Sequence, residues 1–325
     1  MLGKFAHVRA DSLNVAVREL SSPGARLHAG GTDLLGCLRD GVFGAEKVVS
    51  ISGIRELRGI SGTAEGRLRI GAMTTISEIA ADERIAARYS ALAQAAAEVA
   101  SPQLRNQGTI GGNICQRPRC WYFRGDFQCA KKGGDICYAF DGENQYHCIF
   151  GGDPCYFVHP SDTAPALVAL GARIGIAGPG GRRAVPAESF FVLPGQNLER
   201  ENVLEANEVV SEIVLPPPDA TGEIVSSFRK VRARQAWDFA LASAAIALRL
   251  AGGRVERARI VLGGVAPAPW RAAGAEAALT GNRLDAGTIS AAAQASVEDA
   301  EPLEQNGYKV RLVRGLLEEM LTALA

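Results

Sequence analysis

Six of the seven cysteines fall between Cys115 and Cys155, and only Cys37 lies outside. Clustering of this kind in a long chain without a secretory opening points to metal or redox chemistry, not to a disulfide framework. The same segment, from Trp121 to Phe157, holds ten of the chain's twenty aromatics. It shows little helical or strand periodicity. A loop this long is uncommon in a compact domain unless something staples it. A metal centre would do so, because ligation replaces the missing core. Zinc sites usually use close cysteine pairs, whereas a [4Fe-4S] cube is wider and takes thiolates from well-spaced positions. The residues therefore favour an iron–sulfur centre, with zinc, disulfides or free thiols as the alternatives. A dithiol oxidoreductase would need a C-x-x-C pair, and none is present.

Around this segment the chain reads as mixed α and β. A helix is expected over Asp11–Leu20, capped by Asp11 or Ser12. Strands are expected at Arg26–Ala29, Val48–Ile51 and Leu68–Ala72, and helices at Thr75–Ala81 and Ala91–Val99. Beyond the cysteines follow a helix at Ser161–Ala169 and strands at Arg173–Ala177 and Glu208–Leu215. Pro216-Pro217-Pro218 continues neither helix nor strand and reads as a linker. The last unit is expected to hold strands at Ser226–Val231 and Val255–Gly263. A helix is expected over Ala240–Leu250, ended by Gly252-Gly253. Further helices are expected near Ala272–Leu279, Thr288–Ala295 and Tyr308–Leu324.

Lys+Arg and Asp+Glu balance at 35 each, so no basic field is available for nucleic acid or an anionic membrane surface. The longest apolar stretch, Phe239 to Leu248, is about half of the ~20 residues that a membrane span requires. The opening MLGKFAHVRA lacks a basic n-region followed by an apolar h-region. The sequence thus predicts a cytoplasmic chain, or a periplasmic one exported with a signal-bearing partner.

Two glycine-rich segments look built for a phosphate-bearing cofactor. In Ala29-Gly30-Gly31-Thr32-Asp33-Leu34 the glycines let backbone N–H groups converge on a pyrophosphate, and Thr32 adds a hydroxyl. Thr109-Ile110-Gly111-Gly112-Asn113-Ile114 offers the same chemistry with an Asn amide. Neither fits G-x-G-x-x-G or the P-loop spacing, so Rossmann and ATPase readings fail. The two segments are expected to lie side by side and grip one dinucleotide diphosphate.

Both loops in this order, with Ser161-Asp162-Thr163-Ala164-Pro165-Ala166-Leu167 and the run FRKVRARQAWDFALASAAIAL at Phe228 to Leu248, resemble the flavoprotein family of xanthine dehydrogenase and carbon monoxide dehydrogenase. The resemblance covers essentially the whole chain. It implies an α+β fold: an FAD-binding PCMH-type (vanillyl-alcohol-oxidase-like) domain over residues 1–217, and a CO-dehydrogenase-flavoprotein-type C-terminal domain over 222–325. The first would divide into α/β subdomains at about 1–55 and 56–217, with the cysteine insert at 115–158. By the same resemblance, Leu27, His28, Ala29, Gly30, Gly31, Thr32, Asp33 and Leu34 would wrap the FAD pyrophosphate. Thr109, Gly111, Gly112 and Asn113 would complete the cradle, and Val99 would touch the cofactor. Asp162 would bond ribityl or ribose hydroxyls, Val210 would meet the flavin through its backbone, and Lys230 would lie near the isoalloxazine carbonyl edge.

The insert itself is similar to that of the FAD subunit of bacterial periplasmic-type aldehyde oxidoreductases, which carries one [4Fe-4S] cluster. That match implies ligation by Cys120, Cys129, Cys137 and Cys155. Cys115 and Cys148 fall where the pattern does not need cysteine. The hydroxybenzoyl-CoA reductase flavoprotein carries a cluster in an insert at the same place. The implied partners are a molybdenum-cofactor subunit and a [2Fe-2S] subunit, since no molybdopterin site or plant-type C-x₄-C-x₂-C run occurs here. The implied role is electron transfer from those subunits to an external acceptor. The alternatives are the flavoprotein of another molybdenum hydroxylase, or a metal-stapled interaction subunit without redox turnover.

Overall fold

A computed structural model describes residues 2–217 and 223–325. Pro218, the last residue of the expected linker, lies outside the described residues. Pro216 and Pro217 directly follow a strand.

Apolar faces in three stretches of sequence bury themselves as three sheets among the described residues. The first is parallel, with β1 (Ala6–Arg9), β2 (Ala25–His28) and β3 (Lys47–Ser50) in the order β1-β3-β2. The helix Leu13–Leu20 packs on it, capped by Ser12, whose hydroxyl accepts from the Val15 N–H. The helix Leu34–Arg39 carries the chain from β2 to β3 as a parallel crossover. Its approach, Ala29 to Asp33, therefore sits at the carboxyl end of a strand, where α/β units expose backbone N–H groups to ligands.

The second sheet is antiparallel. It runs β4 (Ile60–Gly62), β5 (Leu68–Gly71), β8 (Val209–Leu215), β6 (Arg173–Gly178), β7 (Gly181–Pro186). Helices Ile76–Ala81, Ser90–Glu98 and Thr163–Ala169 share its core. Thr75 and Glu78 form a capping box that starts the first of them.

The third sheet has the order β12-β11-β10-β9, with β9 (Glu223–Val231), β10 (Ala242–Ala251), β11 (Arg254–Gly263) and β12 (Trp270–Arg271). Helices Ala273–Leu279, Ala286–Ala295 and Tyr308–Thr322 cover one face. The other face meets the helices of the second sheet: the Phe228 N–H donates to Gln94 Oε1 at 2.7 Å, and Ser90 Oγ donates to the Ser226 carbonyl.

The strand β10 corrects the expected helix at Ala240–Leu250. Its alanines favour helix in isolation, but the segment pairs with β9 and β11 along nearly its whole length. A strand enclosed by two neighbours and packed on both faces reads as a continuous apolar run, without alternation. Gly252 and Gly253, at φ +57° and +74°, then form a two-residue hairpin turn, not a helix end. No helix among the described residues is long and apolar enough to cross a membrane.

Ile246, fully buried at the centre of β10, tests this arrangement. Ile246→Ala should destabilise the chain by about 2–5 kcal/mol, read as a lower urea midpoint.

Candidate functional site

Gly30 lies so close to the segment before the second glycine motif that an added Cβ would collide with the Gln107 carbonyl oxygen. Gln107 Nε2 donates back to the Gly30 carbonyl at 3.2 Å. The two motifs are thus neighbours. They line a common cavity of about 790 Å³, with Leu27, Ala29, Gly30, Gly31, Thr32, Asp33 and Leu34 on one side and Thr109, Gly111, Gly112 and Val210 on the other. Thr32, Thr109 and Gly112 also line a second cavity of about 160 Å³, where Val99, Asn113, Asp162 and Lys230 converge. Together they form one elongated cleft. Of the residues expected to hold the cofactor, only His28 does not line it. Its imidazole packs against Gly31, which sits at φ +74° and has no Cβ to displace the ring.

The two motifs differ in chemistry. The backbone N–H groups of Gly30, Gly31, Thr32 and Asp33 have no acceptor among the described residues, so they are available to an anionic ligand. In the second motif the N–H groups are taken. Ile110 donates to the Thr74 carbonyl and Gly111 to the Ala72 carbonyl, both at 2.9 Å, and Gly112 donates to Thr109 Oγ1 at 3.2 Å. The segment is a helical turn, Ile110–Ile114, not an open loop. Its glycines give close packing: a Cβ on Gly111 would stand 3.0 Å from Ala72. Asn113 Oδ1 accepts from Ser161 Oγ at 2.5 Å and Thr163 Oγ1 at 2.7 Å, which leaves its Nδ2 amide without a partner among the described residues, beside Asp162 and Lys230 in the smaller cavity. The backbone of the second motif therefore offers no free N–H at Ile110 to Gly112, and what it can present to a ligand is the Asn113 side-chain amide. Thr109 caps that turn, and Asn113 anchors the segment bearing Asp162.

At the far end Lys230 Nζ meets Asp162 Oδ2 at 2.7 Å, both side chains being buried. Burial raises the Asp162 carboxyl, and Lys230 opposes that rise. Among the described residues Asp162 Oδ1 has no hydrogen-bond partner, and it can accept from a ligand hydroxyl. Trp237 and Ala100, both with positive φ, border the same cavity and are joined by a hydrogen bond of 3.1 Å between Trp237 N and Ala100 O.

The cysteine insert forms a wall of the cleft as well. Its regular structure is limited to the short helix Trp121–Arg124 and a 3₁₀ turn at Ala130–Lys132. Packed aromatics and buried charge fix the rest. Trp121 lies edge-on to Tyr146 and His147, and Tyr122 lies edge-on to Phe127. Lys131 and Arg117, on the cavity wall, both pair with the buried Glu201, at 2.8 and 3.1 Å. On the other side Asn306 Nδ2 donates to the Cys148 carbonyl at 2.9 Å. The buried Lys309 donates to the Tyr146 and Gly264 carbonyls at 2.9 and 2.7 Å. None of these anchors was legible in the sequence, since each is an ordinary polar residue until folding buries it.

The neighbouring Cys137 and Cys155 thiols act on each other, which lowers Cys137 and raises Cys155. Cys120 lies within electrostatic range of Cys129, Cys137 and Cys155, and burial raises it to about 11. Cys120 and the other expected ligands thus influence one another electrostatically, and His147 Nε2 stands 3.3 Å from Cys120 Sγ. Cys148 lies beside them, its thiol pushed up by burial. Cys115 faces the cleft and Glu201 instead. Among the described residues no group of three or more His, Cys, Asp or Glu is placed to hold a metal ion. A cube of four irons takes one thiolate per corner over a wider span, and the four cysteines match that donor chemistry.

Residues 3–218 match the family described as the FAD binding domain in molybdopterin dehydrogenase, and residues 226–324 match the CO dehydrogenase flavoprotein C-terminal domain. The chain is 35% identical over 304 residues to the aldehyde oxidoreductase FAD-binding subunit of Escherichia coli K12, covering 92% of this chain and 91% of that one. It is 31% identical to the carbon monoxide dehydrogenase medium chain of Hydrogenophaga pseudoflava, covering 98% and 96%. A solved structure of carbon monoxide dehydrogenase from that organism superposes with a TM-score of 0.79 over 99% of this chain and 98% of that one, at 31% identity. Quinoline 2-oxidoreductase from Pseudomonas putida 86 superposes at 0.77 over 99% and 97%, at 26% identity.

Gly30→Ala, which forces the two motifs apart, should weaken FAD binding at least ten-fold, about 1.4 kcal/mol. Gly112→Ala, whose Cβ would approach only Thr109 Oγ1 at 3.1 Å, should do less. Flavin titration of the deflavinated protein measures both.

Proposed function

The chain belongs to the family of FAD-binding subunits of molybdopterin dehydrogenases, and on that premise we propose that it is the FAD and [4Fe-4S] electron-transfer subunit of a heterotrimeric molybdenum-dependent aldehyde oxidoreductase. It receives electrons that originate at the molybdenum subunit and pass through the [2Fe-2S] subunit, and delivers them to an external acceptor. The observation that carries this reading is the cleft itself. Unpartnered N–H groups at Gly30 to Asp33 lie at one end, the buried Lys230–Asp162 pair at the other, and the cysteine insert forms a wall between. The aldehyde assignment is supported by the 35% identity to an aldehyde oxidoreductase subunit over nearly the full length of both chains.

When bound, FAD supplies the hydride and electron chemistry that amino-acid side chains lack. The protein's own residues bind and orient it. The N–H groups of Gly30, Gly31 and Thr32 face the pyrophosphate. Gly111 and Gly112 let the opposite wall approach without side chains. Asp162 Oδ1 accepts a hydroxyl of the cofactor. Lys230, fixed by Asp162 Oδ2 and by the Glu98 carbonyl at 3.3 Å, brings a buried positive charge to the ring end. In the insert, Cys120, Cys129, Cys137 and Cys155 hold the cluster, and the aromatics around them exclude water.

Separating the chain from its partners and assaying it tests the proposal. About one FAD and about four iron atoms per chain are expected. Flavin without iron would reduce the reading to a cluster-free flavoprotein. Cys129→Ser should lose the iron and its broad visible absorbance while the chain still takes up FAD. Unchanged iron content would strike Cys129 from the ligand set.

A further inference from the structure

Asp33 occupies an unusual position for a carboxylate beside a phosphate-binding turn. It follows Gly30-Gly31-Thr32 and stands at the N-cap of the helix Leu34–Arg39, yet its side chain makes no capping hydrogen bond. Its oxygens instead accept from the cysteine insert. Arg124 Nη2 lies at 2.7 Å and Arg119 Nη2 at 2.9 Å from Oδ1, and the Arg117 N–H donates to Oδ2 at 2.8 Å. These three donors flank Cys120. Arg119 directly precedes it, and Arg124 ends the short helix that Cys120 starts, folding back to the Pro118 and Arg117 carbonyls at 2.8 and 3.2 Å. Arg119 also stacks over Phe239, 5.2 Å from its ring centre, at the opposite end of the cleft.

The geometry points to Asp33 as a positioning residue that couples the two cofactors: it locks the segment around Cys120 onto the phosphate turn, so that cluster assembly and FAD binding strengthen each other. This rests on the proposed presence of both cofactors. The physical reason is direct. With Cys120 tethered to a cluster, residues 117–124 have one conformation, and their three donors hold the Asp33 carboxylate and with it the adjoining turn. Without the cluster Cys120 loses its tether, and the segment keeps its aromatic packing and its own hydrogen bonds. Two neighbouring guanidiniums and a half-buried carboxylate then exchange part of their pairing for water, and the turn loses its fixed shape. Linkage requires the effect to run equally in both directions.

The test uses the assembled complex. In the wild type, iron release to a chelator should slow about ten-fold when FAD is bound, and FAD should bind about ten-fold more weakly to iron-free Cys129→Ser. Asp33→Asn, which keeps the shape but weakens the charge-assisted bonds, should weaken FAD binding and remove the flavin dependence of iron release. The double variant should bind FAD no worse than either single variant. Independent, additive losses, or iron release from the wild type that ignores FAD, would overturn the coupling while leaving both cofactors in place. A complex with flavin but no iron would instead remove the premise. The chelation measurement needs no variant, so misfolding of Asp33→Asn leaves the proposal open to refutation.

Discussion

The close approach of Gly30 to the Gln107 peptide sets the geometry of this chain. Two segments far apart in sequence meet there with no space for a side chain. That contact joins the parallel sheet to the antiparallel one and leaves a cleft along the seam. Backbone donors at Gly30 to Asp33 remain unpaired because they line that cleft rather than a protein surface that could satisfy them. Gly30, Gly31 and Asp33 are only half-buried and Thr32 is exposed, so these donors meet water until a ligand takes its place. Their grouping on one turn is what makes the site fit for a polyanion.

Buried charge performs the second task, which is to hold an insert that has almost no secondary structure. Asp33 and Glu201 each receive cations from the insert, and Lys309 is fully enclosed among backbone carbonyls. Ion pairs of this kind contribute little net stability over apolar packing, but breaking one leaves an uncompensated charge. They therefore favour a single arrangement. Here that arrangement presses the insert against the cleft and closes its wall.

Much of the site was legible because its chemistry is local. Gly30-Gly31-Thr32 announces a turn of exposed N–H groups, and the structure leaves those groups free. Thr109 to Asn113 carries the same composition, yet its backbone donors are consumed by Thr74, Ala72 and its own cap. Glycine density alone does not separate a turn that offers donors from one that permits close packing. Likewise β10 carries the alanine content of a helix, and only its two neighbouring strands decide otherwise. Asp162 and Lys230 were expected to face the cofactor separately, and folding pairs them first with each other.

The sequence by itself determined a chain of mixed α and β elements, a glycine-rich turn that can offer backbone donors and a segment crowded with cysteines and aromatics. These are set by periodicity, by glycines at turns and by cysteine spacing, all short-range properties of the chain. Only the tertiary structure decided which donors stay free, which carboxylates are already paired and how the insert is fastened to the cleft. Those outcomes depend on partners such as Gln107, Glu201, Asn306 and Lys309. Such residues acquire a role only when burial removes water as their competitor.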